Sequence, residues 1–240
     1  MIDVPAVILC GGKGTRLAEE TARIPKPMVT VGGMPVVDHL LHYYASFGVR
    51  RFILCLGYKG DVIADWVDHH PFTSPGGDVE IVCADTGLEA MTGARVKRVE
   101  PLVDGDVFFL TYGDGLGDVD LDGLLGYHKA HDAPLTLTAV HPPSRFGILA
   151  IDGDAVTSFA EKPLSAEWIN GGFFVCDRRV FDELDADDGC ILEREPFERL
   201  AKRGDMRAWR HEGYWQCMDT VADREALQSA WKAGAPWRRW

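Results

Sequence analysis

Runs of consecutive apolar residues alternate with helical patterns through the first half of the chain. A strand buried on both faces reads as an unbroken apolar run, whereas a helix lying on a sheet repeats its apolar positions every three or four residues. The sequence therefore predicts strands at residues 6–10, 52–56, 79–83 and 107–110, and helices at 35–47, 61–69 and 94–103. This alternation is typical of an α/β fold with a mostly parallel central sheet covered on both faces.

The pattern changes in the second half, where the strands read as antiparallel. Residues 135–140 alternate apolar residues with threonine, and two short strands at 148–151 and 156–159 flank the turn Asp152-Gly153-Asp154. Further strands are predicted at 171–176 and 206–210, and helices at 178–184, 193–203 and 221–232. Because no low-complexity linker or internal repeat divides the chain, we expect a single domain over residues 1–240.

Composition and charge narrow the classes of function. Apolar residues make up 46% and charged residues 26% of the 240 residues, the balance of an ordinary globular protein. The net charge of −12 argues against nucleic-acid and membrane-surface partners, since both are rich in phosphate. The sequence has no apolar run long enough to span a membrane and does not start like a signal peptide. The cysteines are scattered, without C-x-x-C spacing, so we expect reduced thiols and a cytoplasmic location.

A glycine-rich loop, Gly11-Gly12-Lys13-Gly14-Thr15-Arg16, directly follows the first predicted strand. Glycines let backbone N–H groups approach phosphate oxygens, and an arginine can bind phosphate through two parallel hydrogen bonds. The loop is not a P-loop, because Gly14 stands where Ser or Thr belongs, and Leu17 replaces the third glycine of a dinucleotide fingerprint. It predicts a phosphate cradle; the alternative is a glycine-rich turn with a surface arginine.

Three charged residues outside the loop are further candidates for the chemistry. Lys26 lies between two prolines that restrict its backbone, which suits a lysine that neutralises phosphate charge. Asp114 lies between two glycines after a predicted strand, and Asp219 follows an apolar segment near the C-terminus. Carboxylates at strand ends are ligands that Mg²⁺ prefers. Taken alone, each aspartate is more typical of a turn or cap residue, and the spacing does not establish that the two form a pair.

The loop and Pro25-Lys26-Pro27-Met28 together resemble the signature of the sugar-1-phosphate nucleotidylyltransferases. Further segments, in order from Ala6 nearly to Trp240, resemble the glucose-1-phosphate cytidylyltransferases of that family. They are Ala18-Glu19-Glu20-Thr21, Thr86-Gly87, Met91-Thr92-Gly93, Thr111-Tyr112-Gly113-Asp114-Gly115, Arg145-Phe146-Gly147, Glu161-Lys162-Pro163, Ile169-Asn170-Gly171-Gly172-Phe173-Phe174 and Trp215-Gln216-Cys217-Met218-Asp219-Thr220. The chain lacks the insert that these enzymes usually carry between Cys83 and Asp85, which leaves subunit contacts and sugar specificity open.

The resemblance implies a Rossmann-like three-layer α/β/α fold with a smaller antiparallel region on the substrate side. Residues 1–130 would mainly bind nucleotide and residues 131–240 mainly sugar phosphate. The implied nucleotide-binding residues are Gly11, Gly12, Gly14, Thr15, Arg16, Lys26, Thr92, Gly93 and Gly113. The implied sugar-phosphate-binding residues are Tyr112, Gly147, Glu161, Lys162, Asn170 and Gly171. The implied catalytic residues are Arg16, Lys26 and Asp114, and the implied magnesium ligands are Asp114 and Asp219.

The implied activity joins CTP to a sugar 1-phosphate, with α-D-glucose 1-phosphate as the expected acceptor, and releases pyrophosphate with Mg²⁺ as cofactor. A homo-oligomer is also expected. The sequence leaves open another nucleotide (dTTP, UTP or GTP), another phosphate or phosphonate acceptor, and a sensor that binds nucleotide sugars without turnover.

Overall fold

The fold is built on one mixed sheet with helices on both faces, as seen in a computed structural model that describes residues 4–17, 21–74, 77–144 and 146–240. The strands, in chain order, are β1 (Ala6–Leu9), β2 (Thr30–Val31), β3 (Met34–Pro35), β4 (Arg51–Leu56), β5 (Glu80–Asp85), β6 (Val107–Tyr112), β7 (Gly115–Gly117), β8 (Leu135–Val140), β9 (Ile148–Asp152), β10 (Ala155–Ala160), β11 (Ile169–Asn170), β12 (Phe174–Asp177), β13 (Met206–His211) and β14 (Trp215–Cys217).

The described α-helices are short, with 7 to 12 residues each. In the described part of the chain the α-helices are α1 (Val36–Ser46), α2 (Gly60–His69), α3 (Thr92–Arg98), α4 (Leu121–Lys129), α5 (Glu195–Arg203) and α6 (Val221–Lys232). Short 3-10 helices form at Thr15–Leu17, Lys26–Met28, Glu100–Leu102 and Arg178–Glu183. None of the described helices combines the length and apolar character needed to cross a membrane. The cytoplasmic location and the lack of a nucleic-acid partner stay predictions.

The central sheet has the strand order β11-β8-β12-β6-β1-β4-β5, with β13 also paired to β8. β1 is parallel to both β4 and β6, β4 is parallel to β5, and β13 is parallel to β8. Among the strands that the structure describes in this sheet, only β11 and β12 run against the others. The predicted mostly parallel sheet is therefore confirmed.

Two apolar layers cover the sheet, and β1 contributes to both. Ala6 and Ile8 pack in one cluster with residues of α1, α4 and α6, whereas Val7 and Leu9 pack in a second cluster with residues of α3 and α5. Successive residues of a strand point to opposite faces, and both faces of the sheet are covered at β1, so all four of its side chains are buried. This arrangement is the three-layer α/β/α architecture that the resemblance implied.

The predicted antiparallel pair forms a hairpin that projects from the rest of the fold. β9 and β10 pair around a turn in which Gly153 has a φ of 57°, and every residue of both strands is exposed. The hairpin nonetheless carries large apolar side chains, including Ile151 and Phe159, which are each 63% exposed. Its stem is closed by backbone hydrogen bonds between residues 142–144 and 163–165.

The strand predicted at 171–176 forms only from Phe174 onward, because the backbone is interrupted before it. Gly172 and Phe173 both adopt left-handed conformations, with φ of 75° and 43°, so the segment is divided into β11 and β12. The interruption turns the Phe173 ring into the core, where it stacks on Tyr44 with the ring planes 1° apart. A burial requirement that depends on α1 thus overrides the local strand pattern.

Three other boundaries differ from the prediction. The helix expected at 94–103 ends at Arg98 and is followed by a 3-10 turn containing Pro101, since the residue before a proline avoids the α conformation. The helix expected at 178–184 is 3-10. The strand expected at 79–83 continues as β5 to Asp85, directly through the position of the missing insert.

A buried histidine predicts how stability depends on acid. His128 is 4% exposed, its Nδ1 lies 2.8 Å from Thr136 Oγ1, and burial lowers its pKa to about 4. Between that value and the usual 6.5, the unfolded chain takes up a proton that the folded chain does not. We therefore expect the free energy of unfolding to fall as the pH drops through this window, by on the order of 2 kcal/mol near pH 4.5.

Urea unfolding of the wild type and of His128→Gln at pH 7 and pH 4.5 would measure this dependence. The glutamine variant cannot take up the proton, so its loss of stability between the two pH values should be smaller. An equal loss in both proteins would show that His128 is not responsible.

Candidate functional site

The candidate site lies where β1 and β6 end side by side. The two strands are parallel, with Leu9 opposite Tyr112, and Gly113 N donates to Leu9 O at 3.0 Å. The glycine-rich loop after β1 and the loop that carries Asp114 after β6 therefore share one edge of the sheet. In open α/β sheets, ligands bind at such carboxyl ends.

The glycine loop has the openness that a phosphate cradle needs. A Cβ atom added to Gly12 would meet no atom within 4 Å, so this part of the loop faces open space. Gly14 has a φ of 60°, a conformation that favours glycine, and it precedes the 3-10 turn that begins at Thr15. The Arg16 side chain and residues 18–20 lie outside the part of the chain that the structure describes, as does Arg145.

The glycine loop is supported from below by Arg95, which the sequence analysis did not identify. The guanidinium is 4% exposed, and it donates to Gly11 O at 2.9 Å, to Leu56 O at 2.9 Å and to Thr86 Oγ1 at 2.8 Å. A Cβ on Gly11 would come within 2.2 Å of Arg95 Nη1, so the glycine permits this close approach. The sequence did contain a signal for this role, since Arg95 lies between two apolar residues of a predicted helix, where a charged side chain is expected to have buried partners.

Lys13 does not point into the cradle but links the loop to a neighbouring one. Its Nζ lies 2.8 and 2.9 Å from the two carboxylate oxygens of Glu89. Both side chains are about half exposed or more, and exposed pairs of this kind contribute under about 1 kcal/mol. The pair connects the loops after β1 and β5 across the mouth of the cradle.

Lys26, Asp114 and Asp219 converge in one cluster. Lys26 Nζ donates to Asp114 Oδ2 at 2.6 Å and to Asp219 Oδ1 at 2.7 Å. The lysine side chain is only 12% exposed, whereas the two carboxylates are 28% and 23% exposed. The structure thus joins the two aspartates whose pairing the sequence could not establish.

A small two-stranded sheet explains how residues so far apart in sequence meet. β14 pairs antiparallel with β7, with Cys217 opposite Gly115, and Met218 N donates to Asp114 O at 2.8 Å. Asp219 immediately precedes the N-cap of α6, where Thr220 and Asp223 form a capping box and Asp223 Oδ2 also accepts from Asp219 N. Both aspartates are therefore held by backbone contacts as well as by Lys26.

The two aspartates keep Lys26 protonated. Burial lowers the pKa of Lys26, but the charges and hydrogen bonds of Asp114 and Asp219 outweigh burial, so the pKa lies above the usual lysine value. The side chain therefore carries a positive charge at neutral pH, next to the glycine loop.

The same two carboxylates fit a divalent cation. They present hard oxygens, from separate loops, toward one shared point, and both are open to solvent on one side. The described residues offer no group of three or more His, Cys, Asp or Glu that could hold a metal. Two carboxylates completed by substrate phosphates and water are the usual Mg²⁺ arrangement in phosphoryl-transfer sites.

A hydrogen-bonded chain of polar side chains lines the adjoining side of the site. Tyr112 OH donates to Glu193 Oε1 at 2.6 Å, and Thr92 Oγ1 donates to Glu193 Oε2 at 2.6 Å. Asn170 Nδ2 donates to Tyr112 OH at 3.0 Å. Burial and the Glu193 charge raise the pKa of Tyr112, which keeps its hydroxyl protonated. Glu193 was not singled out by the sequence analysis, and no pattern in its surroundings pointed to it.

The remaining predicted residues lie in two different settings. Gly93 and Gly171 are packing positions, since a Cβ would meet Cys190 Sγ at 2.6 Å and Val140 Cγ1 at 2.7 Å, respectively. Gly147, Glu161 and Lys162 lie instead at the base of the exposed hairpin, where Lys162 Nζ is 3.8 Å from Glu161 Oε1. The binding roles assigned to these five residues stay predictions.

Comparison with known proteins identifies the family. The sequence matches the Nucleotidyl transferase family over residues 5–218, a span that contains Lys26 and Asp114 and ends one residue before Asp219. The chain belongs to the nucleotidyl transferase family. It is 43% identical to a glucose-1-phosphate cytidylyltransferase of Salmonella typhi, with 98% of this chain and 99% of that protein covered. It is 38% identical to a probable glucose-1-phosphate cytidylyltransferase of Bacillus subtilis, with the same coverage.

A solved structure supports the same fold for this nucleotidyl transferase. HddC from Yersinia pseudotuberculosis matches with a TM-score of 0.71 and 26% identity, covering 95% of this chain and 99% of that one. A second HddC structure, with the same scores, is complexed with GMP-PN. The family and the fold that the motifs implied are therefore confirmed.

Gly113 gives this nucleotidyl transferase a testable structural requirement. A Cβ at this position would lie 2.7 Å from Leu9 O, a backbone atom that cannot move without displacing β1. We expect Gly113→Ala to lower the free energy of unfolding by about 1–3 kcal/mol. Thermal unfolding of this variant and of Gly12→Ala would measure the effect, because a Cβ on Gly12 meets nothing within 4 Å. If the two variants melted at the same temperature, close packing at Gly113 would be refuted.

Proposed function

We propose that the chain joins CTP to α-D-glucose 1-phosphate and releases CDP-glucose and pyrophosphate. The observation that carries nucleotidyl transfer is the convergence of Lys26, Asp114 and Asp219 beside the open glycine loop. The choice of base and sugar is supported by the near full-length similarity to the Salmonella typhi and Bacillus subtilis relatives.

The chemistry needs positioning and charge rather than a general base. A sugar phosphate is largely ionised at neutral pH, so one of its oxygens can attack the α-phosphorus of CTP directly. The O–P bond to the leaving pyrophosphate breaks on the opposite side of the phosphorus. Backbone N–H groups of residues 11–14 would hold the triphosphate, and Arg16 would bind its oxygens. Lys26 would neutralise the negative charge that spreads over the phosphoryl oxygens as the bonds change.

Asp114 and Asp219 are the proposed ligands of Mg²⁺. When bound there, the cation supplies positive charge to the phosphate oxygens at the reacting centre. The two carboxylates are fixed by the β7–β14 pairing and by the capping box of α6, so they are already in place before substrate binds.

The hydrogen-bonded side chains of Asn170, Tyr112 and Glu193 form the proposed binding surface for the sugar phosphate. Its polar atoms are already linked by hydrogen bonds of 2.6–3.0 Å, so a sugar hydroxyl would meet donors and acceptors of fixed orientation. Thr92, on the other side of Glu193, and Gly93 would lie near the base. Glu161 and Lys162 would approach the sugar phosphate from the hairpin.

One alternative has specific support. HddC, which has the same fold, is complexed with GMP-PN. The chain is also 34% identical to a mannose-1-phosphate guanylyltransferase of Mycobacterium tuberculosis, with 92% of this chain and 62% of that protein covered. Both point to a guanine nucleotide, so GTP with mannose 1-phosphate is the second candidate pair.

Release of pyrophosphate tests the proposal. The protein would be assayed with CTP, GTP, UTP and dTTP, each combined with glucose 1-phosphate, mannose 1-phosphate and other sugar 1-phosphates. We expect the highest kcat/KM with CTP and glucose 1-phosphate. If that pair released no more pyrophosphate than the blank while another pair was turned over, the substrate assignment would be wrong. If no pair was turned over, the result would favour a sensor that binds nucleotide sugars without catalysis.

We also propose that the protein is a homo-oligomer that buries the hairpin. The apolar side chains of β9 and β10 are largely open to solvent in the single chain, since every residue of both strands is exposed and Ile151 and Phe159 are each 63% exposed. Sedimentation of the wild type should give a mass above that of one chain, and Ile151→Glu should lower it. A wild type that sediments as a monomer at micromolar concentration would contradict this proposal.

A further inference from the structure

Lys26 occupies the point that the two aspartates share. Its Nζ is within hydrogen-bonding distance of one oxygen of each carboxylate, at 2.6 and 2.7 Å. A divalent cation on the same pair would bind those oxygens at about 2.0–2.1 Å. An ammonium and a divalent cation would then stand within a few ångströms of each other between the same oxygens. Their repulsion makes the two positions mutually exclusive.

The Lys26 side chain can reach a second position beside the glycine loop. Its stem packs beside the glycine loop, since a Cβ built on Gly14 would lie 3.2 Å from Lys26 Cβ. The long side chain ends in a point charge with several rotatable bonds, so a change of rotamer can carry Nζ from the aspartates toward the loop without moving the backbone. The backbone itself is fixed by Pro25 and by the 3-10 turn Lys26–Met28.

We propose that Lys26 is an exchangeable counter-ion of the Asp114–Asp219 pair, whose negative charge it partly offsets until a divalent cation displaces it toward the phosphates of a bound nucleotide. The first half of this proposal depends only on the geometry of the three side chains. The second half rests on the proposed function. Metal and nucleotide should therefore bind cooperatively, because the triphosphate accepts the lysine that the metal displaces.

Binding of Mn²⁺, a spectroscopic probe for a magnesium site, tests the first half without any turnover. Free Mn²⁺ would be measured by electron paramagnetic resonance in titrations of wild type and Lys26→Met without nucleotide. We expect the variant to bind Mn²⁺ at least about tenfold more tightly, because two carboxylates without their ammonium attract the cation more strongly. Lys202→Met, which removes an exposed lysine of α5, is the matched control and should bind as wild type does.

A second measurement uses the wild-type chain and so does not depend on the folding of a variant. Acetylation by an amine reagent, followed residue by residue with mass spectrometry, should be slow at Lys26, whose side chain is 12% exposed. Saturating Mn²⁺ should raise its rate severalfold and leave the rate at Lys202 unchanged. An unchanged rate at Lys26, or a Lys26→Met variant that binds Mn²⁺ no more tightly than wild type, would overturn the exchange. Neither result depends on which nucleotide or sugar the enzyme uses.

Discussion

Lys26→Ala is expected to lower kcat for pyrophosphate release at least about a hundredfold in the presence of Mg²⁺, while the chain still folds. The ammonium contacts both carboxylates of the cluster and its side chain, only 12% exposed, lies next to the glycine loop, so the variant loses a positive charge at the proposed reacting centre. Steady-state kinetics on the variant and on Lys202→Ala would measure the loss, with circular dichroism as the check on folding. A near-normal rate in folded Lys26→Ala would remove this residue from the reacting centre.

The second large effect is expected for Asp219→Asn. The amide keeps the shape of the side chain but removes the charge that attracts a divalent cation, so the Mg²⁺ concentration for half-maximal rate should rise at least about tenfold. Asp219 is held at the N-cap of α6 through Asp223, and the substitution leaves that capping box in place.

A magnesium titration of the steady-state rate would measure the shift, with Asp154→Asn in the hairpin turn as the control for loss of one negative charge. If Asp219→Asn and Asp154→Asn gave the wild-type titration, Asp219 would not be a metal ligand.

The sequence predicted those features that depend on local pattern. The apolar runs at β1 and β6 are unambiguous because both strands are buried on both faces, and the loops that follow them lie at one edge because the strands are parallel. Position at a strand end was therefore enough to place Gly12, Gly113 and Asp114 together before any distance was known.

The sequence could not predict contacts that depend on pairing between distant segments. Asp219 reaches Asp114 only because β14 pairs with β7, two three-residue strands too short to leave a pattern. Glu193 meets Tyr112 and Thr92 from a loop before α5, which no periodicity places near the site. The interruption at Gly172 and Phe173 follows from packing of the Phe173 ring on Tyr44, a tertiary contact.

The site also shows how an acidic chain can hold an anionic substrate. The net charge is −12, yet several cations lie near the glycine loop, each with its own partners. Arg95 donates hydrogen bonds to backbone carbonyls beneath the loop. Lys13 is paired with Glu89, and Lys26 is paired with the two aspartates. Of these, Lys26 contacts both aspartates from a position beside the loop, which is why we assign it the central role.

The most direct test of the central claim is a ³¹P NMR spectrum of one reaction containing the protein, CTP, α-D-glucose 1-phosphate and Mg²⁺. The account predicts that the signals of CTP and glucose 1-phosphate decrease together, while those of a CDP-sugar diphosphate and of pyrophosphate appear in equal amounts. Consumption of CTP with the glucose 1-phosphate signal unchanged, or no change in either signal, would contradict it.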